Sequence, residues 1–171
     1  AFLFHASAFA ASGRPDIQVH FAPASGMRGD DGMSVMDEVP GITAITYPMR
    51  PTSRGTVQIR DVDATAAPRI KANYLSTPHD CQVIVEGMRA IRDIYSAEPI
   101  VSWVRGEIRP GQGVKDDEAL LDYARRFGIT GYHPAGSCRM GSDSDAVVDC
   151  QLAVKGIRNL HVADTSVMPT L

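Results

Sequence analysis

The sequence lacks a long hydrophobic run and an excess of basic residues. Its most apolar stretch, AFLFHASAFAASG at residues 1–13, is shorter than the about 20 residues that a membrane-spanning helix needs. That stretch also lacks the basic start of a signal peptide. The 17 lysines and arginines are scattered among 20 acidic residues, so no basic face for nucleic acid is predicted. Membrane association through other parts of a longer protein stays open.

Cysteine is scarce and odd in number, with Cys81, Cys138 and Cys150 as the whole set. An odd number excludes a complete disulfide framework, although one bridge plus a free thiol stays open. A reducing compartment, the cytoplasm, is the simpler expectation.

The length and composition fit one globular domain. The chain has 171 residues, of which 44% are hydrophobic and 22% charged, and a chain of this length can bury a sizeable core. Both ends of the sequence are apolar. We therefore interpret the chain as part of a longer protein.

Periodicity predicts strands followed by helices. Residues 17–21 alternate between apolar and polar side chains, and two further extended runs cover 42–49 and 56–60, joined by a hairpin or a wide connection. Residues 26–41 contain four glycines and no period, which is typical of a loop. Helical spacing is found from Asp80, a candidate N-cap, to Tyr95, and again around residues 115–128, where Asp116 or Asp117 is the candidate N-cap. The predicted fold class is α+β, a mostly antiparallel sheet covered by helices on one face.

The segment GYHPAGSCRMG at residues 131–141 is the strongest candidate for a site. Gly136 and Gly141 have the spacing of a phosphate loop, but Ser142 and Asp143 stand where that loop needs Lys and Ser or Thr. His133 suits general acid–base chemistry because imidazole exchanges a proton near neutral pH. A structural histidine is an equally good interpretation from the residues alone.

Two other site chemistries remain open for the same segment. Cys138 would be a nucleophile if His133 lay close enough to act as its base. Zinc binding would use His133, Cys138, Cys150 and His161, although none of them has the short ligand spacing of structural zinc sites.

The segment YHPAGSCRMG, followed by AVVDCQLAVKGIRNLHVADTSVMPTL, resembles the C-terminal signature of the glucose-methanol-choline oxidoreductases. The family pattern is H-P-x-G-T-C-R-M-G, then V-V-D, then G-[VI]-x-N-L-x-V-A-D-A-S-V-M-P. Ser137 replaces the usual Thr, and Thr165 replaces the usual Ala. Residues 47–59 and 71–94 are similar to the substrate domain of the choline dehydrogenase-like branch, so the resemblance covers essentially the whole chain.

The resemblance implies an FAD-dependent enzyme that oxidises a small-molecule alcohol. It implies that His133 is the catalytic base and that Gly136, Asp164 and Thr165 contact FAD, with no metal. Residues 1–130 would form part of a substrate-binding domain, whose sheet roofs the substrate cavity. Residues 131–171 would form the active-site loop and a return segment toward an FAD-binding domain. Candidate cavity-lining residues are Tyr47, Met49 and Trp103.

The sequence departs from the complete family pattern in two respects. The G-x-G-x-x-G motif that holds the ADP part of FAD is absent, and so is a second active-site residue, a His or Asn expected beyond Leu171. We therefore expect this chain alone neither to hold FAD tightly nor to turn over. The alternatives are a non-catalytic ligand-binding module and a metal-binding domain that uses His133, Cys138 and Cys150.

Overall fold

The computed structural model describes residues 1–28 and 34–171, which divide into two compact units. The first unit is Ala1–Met49 with Pro78–Gly128, and the second is Arg50–Thr77 with Ile129–Leu171. The predicted functional division at residue 130 stays a prediction.

The regular elements are short except for one helix. The chain forms strands β1 (Phe2–His5), β2 (Ile17–Ala22), β3 (Gly26–Arg28), β4 (Ser34–Met36), β5 (Thr43–Pro48), β6 (Thr56–Gln58) and β7 (Arg69–Lys71), and helices α1 (Pro78–Ser96) and α2 (Asp117–Phe127). Single 3₁₀ turns cover Ala11–Gly13, Ile100–Ser102 and Thr165–Val167. No helix in the described part of the chain combines the length and the hydropathy needed to cross a bilayer.

The core of the first unit lies between α1 and an antiparallel sheet of order β1–β2–β5. Because side chains alternate along a strand, Ile17 and Val19 of β2 point to the same face, where they are fully buried with Val83 of α1. Removing each of these side chains from water stabilises the fold by about 1.5–3 kcal/mol.

The other face of this sheet carries aromatic side chains. The Phe2 and His20 ring centroids are 4.6 Å apart, and those of His20 and Tyr47 are 4.8 Å apart. Phe2 and Phe4 remain 68% and 53% exposed. The described residues therefore bury one face of the sheet and leave the other open.

The two helices begin and end for reasons that the sequence contains. Asp116 is the N-cap of α2 and accepts a hydrogen bond from the Ala119 N–H at 2.8 Å, as predicted. The predicted N-cap of α1 is wrong. Pro78 is its first residue, and Asp80 lies buried in its first turn, because proline's fixed φ and missing N–H suit the first helical position.

Two of the strand and loop predictions need correction. Residues 26–28 and 34–36, predicted as loop, form the antiparallel pair β3–β4, whose three-residue strands are too short to show alternation. The remainder of that loop prediction at 29–33 lies outside the described residues. The run at 56–60 does not form a hairpin with 42–49, because β6 pairs with β7 and β5 pairs with β2.

The α+β class and the antiparallel pairing are confirmed. The covering of the sheet is simpler than predicted. Helix α1 alone packs broadly on the sheet, whereas α2 packs on α1. The predicted strands at 17–21 and 42–49 are confirmed to within one residue at each end.

We predict that Gly87→Ala destabilises the chain. A Cβ at this buried position of α1 would meet the Thr46 Oγ1 of β5. Overpacking of this kind costs about 1–3 kcal/mol, which exceeds the about 1 kcal/mol that alanine gains over glycine within a helix. Chemical denaturation of the 171-residue chain should show a lower free energy of unfolding.

The partner variant Thr46→Ala removes the obstructing hydroxyl, which is itself buried without a hydrogen-bond partner among the described residues. Gly87→Ala should therefore cost less when it is added to Thr46→Ala, which leaves only the Cβ of residue 46 at 3.2 Å. Gly113→Ala is the matched control, because a Cβ there meets no atom within 4 Å. A Gly87→Ala chain as stable as the wild type would contradict the close contact.

Candidate functional site

The loop at 131–141 lies in the second unit, alongside the predicted cofactor-contacting residues. The Cys138 N–H donates to the Ser166 carbonyl at 2.9 Å, and the Met140 N–H donates to the Val167 carbonyl at 2.9 Å. The Thr165 hydroxyl donates to the Pro134 carbonyl at 3.0 Å. Three hydrogen bonds therefore bring His133 and Gly136 into the same local structure as Asp164 and Thr165.

His133 is exposed, while the backbone on both sides of it is held. On the amino side, the Tyr132 N–H donates to the Thr130 hydroxyl at 3.1 Å. Tyr132 adopts a φ of 59°, in the left-handed region that is uncommon for a non-glycine residue. On the carboxyl side, Pro134 restricts its own φ, and its carbonyl is the acceptor for Thr165. The ring is thus presented to solvent from a fixed stretch of chain.

Gly136 has a φ of +85°, which an L side chain rarely adopts. A Cβ at this position would come 3.3 Å from the Met168 carbonyl oxygen. Glycine therefore allows both the turn and the close approach to the 164–168 segment.

Asp164 caps the 3₁₀ turn Thr165–Val167. Its Oδ1 accepts the Ser166 N–H at 2.8 Å, and hydrogen bonds from the Ser166 side chain and backbone lower the pKa of the Asp164 carboxyl from its ordinary value. The carboxylate is exposed and ionised at neutral pH. It can accept hydrogen bonds from ligand hydroxyl groups.

The donor set in this segment fits the polar parts of FAD. An ionised Asp164 suits the ribityl hydroxyls, and the Asp164 and Thr165 N–H groups donate to no carbonyl of the described residues, which leaves them for a phosphate oxygen. The chain offers no cation at these two positions to neutralise a pyrophosphate.

An ion pair between Arg139 and Asp143, which the sequence analysis did not predict, holds the end of the loop. Arg139 Nη1 and Nη2 donate to the two carboxylate oxygens of Asp143 at 2.9 and 2.7 Å, and Lys155 Nζ donates to the Asp143 carbonyl at 2.6 Å. The hydrogen bond from Arg139 is the largest cause of a pKa for Asp143 that lies far below its ordinary value, and the Asp145 N–H lowers it further. The spacing of four residues between opposite charges was the available signal.

The geometry gives little support to the two cysteine-based alternatives, a Cys138 nucleophile and a zinc site. Among the described residues no disulfide joins the cysteines, and no group of three His, Cys, Asp or Glu side chains could bind a metal. They also contain no hydrogen bond between Cys138 and His133. The cytoplasmic setting stays a prediction.

The three predicted cavity-lining residues belong to the first unit. Tyr47 is half-buried beside His20, and Met49 is half-buried and donates its N–H to the Asp16 carbonyl at 2.7 Å. Trp103 is 85% exposed. A cavity of about 360 Å³ in this unit lies along α2 beside Arg109 and Tyr123 and includes none of these three. Partial burial raises the pKa of the Tyr123 hydroxyl.

Comparison with known proteins decides the family. The family model described as GMC oxidoreductase matches residues 51–171. The chain belongs to the GMC oxidoreductase family. The matched range contains both segments of the candidate site, the loop at 131–141 and residues 164–168.

Two similar relatives are bacterial dehydrogenases. The chain is 41% identical over 159 residues to the oxygen-dependent choline dehydrogenase of Pseudomonas savastanoi pv. phaseolicola (strain 1448A / Race 6), covering 92% of this chain and 27% of that protein. It is 36% identical over 158 residues to the alcohol dehydrogenase [acceptor] of Pseudomonas putida, covering 92% and 28%. The chain thus spans little more than a quarter of these relatives.

Solved GMC structures share the fold. The pyridoxine 4-oxidase from Mesorbium loti superposes with a TM-score of 0.84 at 31% identity, covering 99% of this chain and 33% of that one. The formate oxidase of Aspergillus oryzae RIB40, whose structure concerns FAD modification, gives 0.82 at 25% identity, covering 97% and 29%.

We predict that Asp143→Asn lowers the melting temperature of the chain at pH 7 and that the difference shrinks as pH falls below about 4. Because the pKa of Asp143 is lower in the folded than in the unfolded chain, its ion pair stabilises the fold above about pH 4 and is lost as pH falls further. Both side chains are partly exposed, so the effect at pH 7 is small.

Thermal unfolding of both chains from pH 7 down to about pH 3 checks this titration range. Asp93→Asn is the control, because it removes an exposed carboxylate from the surface of α1. No difference at pH 7, or a difference that stays constant down to about pH 3, would show that the charge of Asp143 does not stabilise the fold.

Proposed function

We propose that this chain carries the general base of an alcohol oxidoreductase and that His133 is that base. The observation that supports this most is the exposed imidazole on a backbone fixed from both sides, by Thr130 and by Thr165. A general base must lie within hydrogen-bond reach of the proton that it removes, and a fixed backbone limits the positions the ring can sample.

In the proposed reaction, a ring nitrogen of His133 accepts the hydroxyl proton of the alcohol as the carbonyl product forms. The protonated ring then lies next to the oxygen on which negative charge develops, which stabilises that charge. When bound, FAD supplies the oxidant that takes the hydride from the carbinol carbon, so that the alcohol loses one proton and one hydride in total.

We propose that Gly136, Asp164 and Thr165 hold the cofactor from this chain. Asp164 would accept from ribityl hydroxyls, the N–H groups of Asp164 and Thr165 would donate to phosphate oxygens, and Gly136 would leave room for a flat ring system. The rest of an FAD site would come from other parts of the longer protein. The family resemblance and the share of each relative that this chain covers support that division.

The substrate is proposed as a small alcohol, the class named for the relatives. Choline and a general alcohol are both retained as candidates, because the relatives include a choline dehydrogenase and an alcohol dehydrogenase. No nucleic-acid partner is proposed.

We predict that His133→Ala lowers kcat of the full-length protein by roughly 100-fold or more, the usual scale for loss of a general base. Flavin content, read from visible absorbance, should stay at the wild-type level. Turnover is measured over a panel of choline, aliphatic and aromatic alcohols.

His161→Ala is the matched control for this experiment. It removes another exposed histidine of the same unit, whose main chain is bridged to Ala153. Activity of His133→Ala within a few-fold of wild type would refute the role of His133. A flavin-loaded wild type that is inactive on every alcohol would favour the non-catalytic binding module.

A separate prediction concerns cofactor retention. The 171-residue chain, incubated with FAD and passed through a desalting column, should elute without flavin absorbance, because it lacks the glycine-rich nucleotide loop. The full-length protein, treated in the same way, should retain it. Stoichiometric flavin on the short chain would mean that its own residues suffice to hold FAD.

A further inference from the structure

Thr165 occupies the first position of the 3₁₀ turn Thr165–Val167, and its main chain is already fixed. Asp164 caps the turn, and the Met168 N–H donates to the Thr165 carbonyl at 3.2 Å. With the backbone held, the Thr165 side chain has few orientations, because a β-branched residue has restricted χ1. Its hydroxyl donates to the Pro134 carbonyl at 3.0 Å, across 31 residues of sequence.

This bond reaches the residue next to His133. The other two hydrogen bonds between the 131–141 loop and the 164–168 segment are donated by Cys138 and Met140, further along the chain. Pro134 has no N–H, so its carbonyl is the one backbone hydrogen-bonding group that this residue can offer. Anchoring that carbonyl fixes the peptide plane that follows Pro134 and, through it, the entry into the turn at Gly136.

The donor is a feature of this chain rather than of the family pattern. That pattern has alanine where Thr165 stands, and alanine has no hydroxyl to donate. Serine is the only smaller residue that preserves the donor, and valine preserves the shape without it.

We propose that Thr165 is a positioning residue that holds the His133 loop through the Pro134 carbonyl. This role rests on the proposed function of His133 as the base. The bond acts on the loop backbone and makes no contact with the imidazole, so its loss widens the range of positions that the ring samples. A base that is in place for a smaller fraction of the time lowers kcat, whereas substrate affinity is little changed.

The decisive experiment compares Thr165→Val, Thr165→Ala and Thr165→Ser in the full-length, flavin-loaded protein. Thr165→Val and Thr165→Ala should lower kcat about 3- to 10-fold at unchanged KM, the effect of one lost neutral hydrogen bond. Thr165→Ser should stay within about twofold of wild type, because it keeps the donor. Thr170→Val, the same change at another exposed threonine of this segment, is the control.

Hydrogen exchange followed by mass spectrometry gives a readout that does not depend on turnover. Peptides covering Ala135–Cys138 should exchange faster in Thr165→Val and Thr165→Ala, and at the wild-type rate in Thr165→Ser. Peptides from α1 are the internal reference, since faster exchange there would report general destabilisation.

The outcomes separate this proposal from the proposed function. Unchanged exchange at Ala135–Cys138 in Thr165→Val overturns the anchoring bond. Faster exchange with kcat within twofold of wild type overturns the positioning role. If the exchange and serine-rescue results hold but His133→Ala remains active, the loop anchor stands and the base assignment fails.

Discussion

The backbone of residues 131–171 has to satisfy its hydrogen-bonding groups with almost no regular secondary structure, and this constraint shapes the candidate site. Buried N–H and C=O groups without partners are costly. Two distant segments meet the requirement by bonding to each other: Cys138 and Met140 donate to the carbonyls of Ser166 and Val167. Val148 is completely buried and forms β-bridges with Met140 and Val154. Residues far apart in sequence become neighbours, and the two ends of the family signature form one local structure.

The first unit satisfies its backbone hydrogen-bonding groups through regular secondary structure instead. Its helix and sheet satisfy their backbones internally, and the apolar contact of Val83 with Ile17 and Val19 holds them together. Hydrophobic burial therefore stabilises the first unit, while specific polar contacts define the second. The base proposed at His133 needs a defined position more than a deep core, and the hydrogen bonds of Tyr132 and Pro134 restrict the backbone on either side of it. The ion pair of Arg139 and Asp143 adds a further fixed point at the end of the loop.

The regular elements of the first unit could be predicted from the sequence better than the long-range polar contacts of the second. Helix α2, with its Asp116 cap, and strand β2, with its alternation, are encoded by neighbouring residues and were predicted well. Strands β3 and β4 have only three residues each and are paired by main-chain bonds, so no alternation of side chains marked them. At the site, the family signature identified the segments, but it could not show which groups meet. The bond from Thr165 to Pro134 depends on a path of 31 residues that no local spacing records.

The open face of the β1–β2–β5 sheet has a practical meaning for anyone who handles this chain. Soluble monomers rarely leave large aromatic patches uncovered, yet Phe2 and Phe4 lie exposed on this face beside the half-buried Tyr47. Among the described strands, β1 and β5 each pair with β2 alone. Such a surface adsorbs to hydrophobic resins and binds environment-sensitive dyes, and it encourages self-association at high concentration. When the 171-residue chain is produced alone, its solubility at high concentration therefore needs as much attention as its folding.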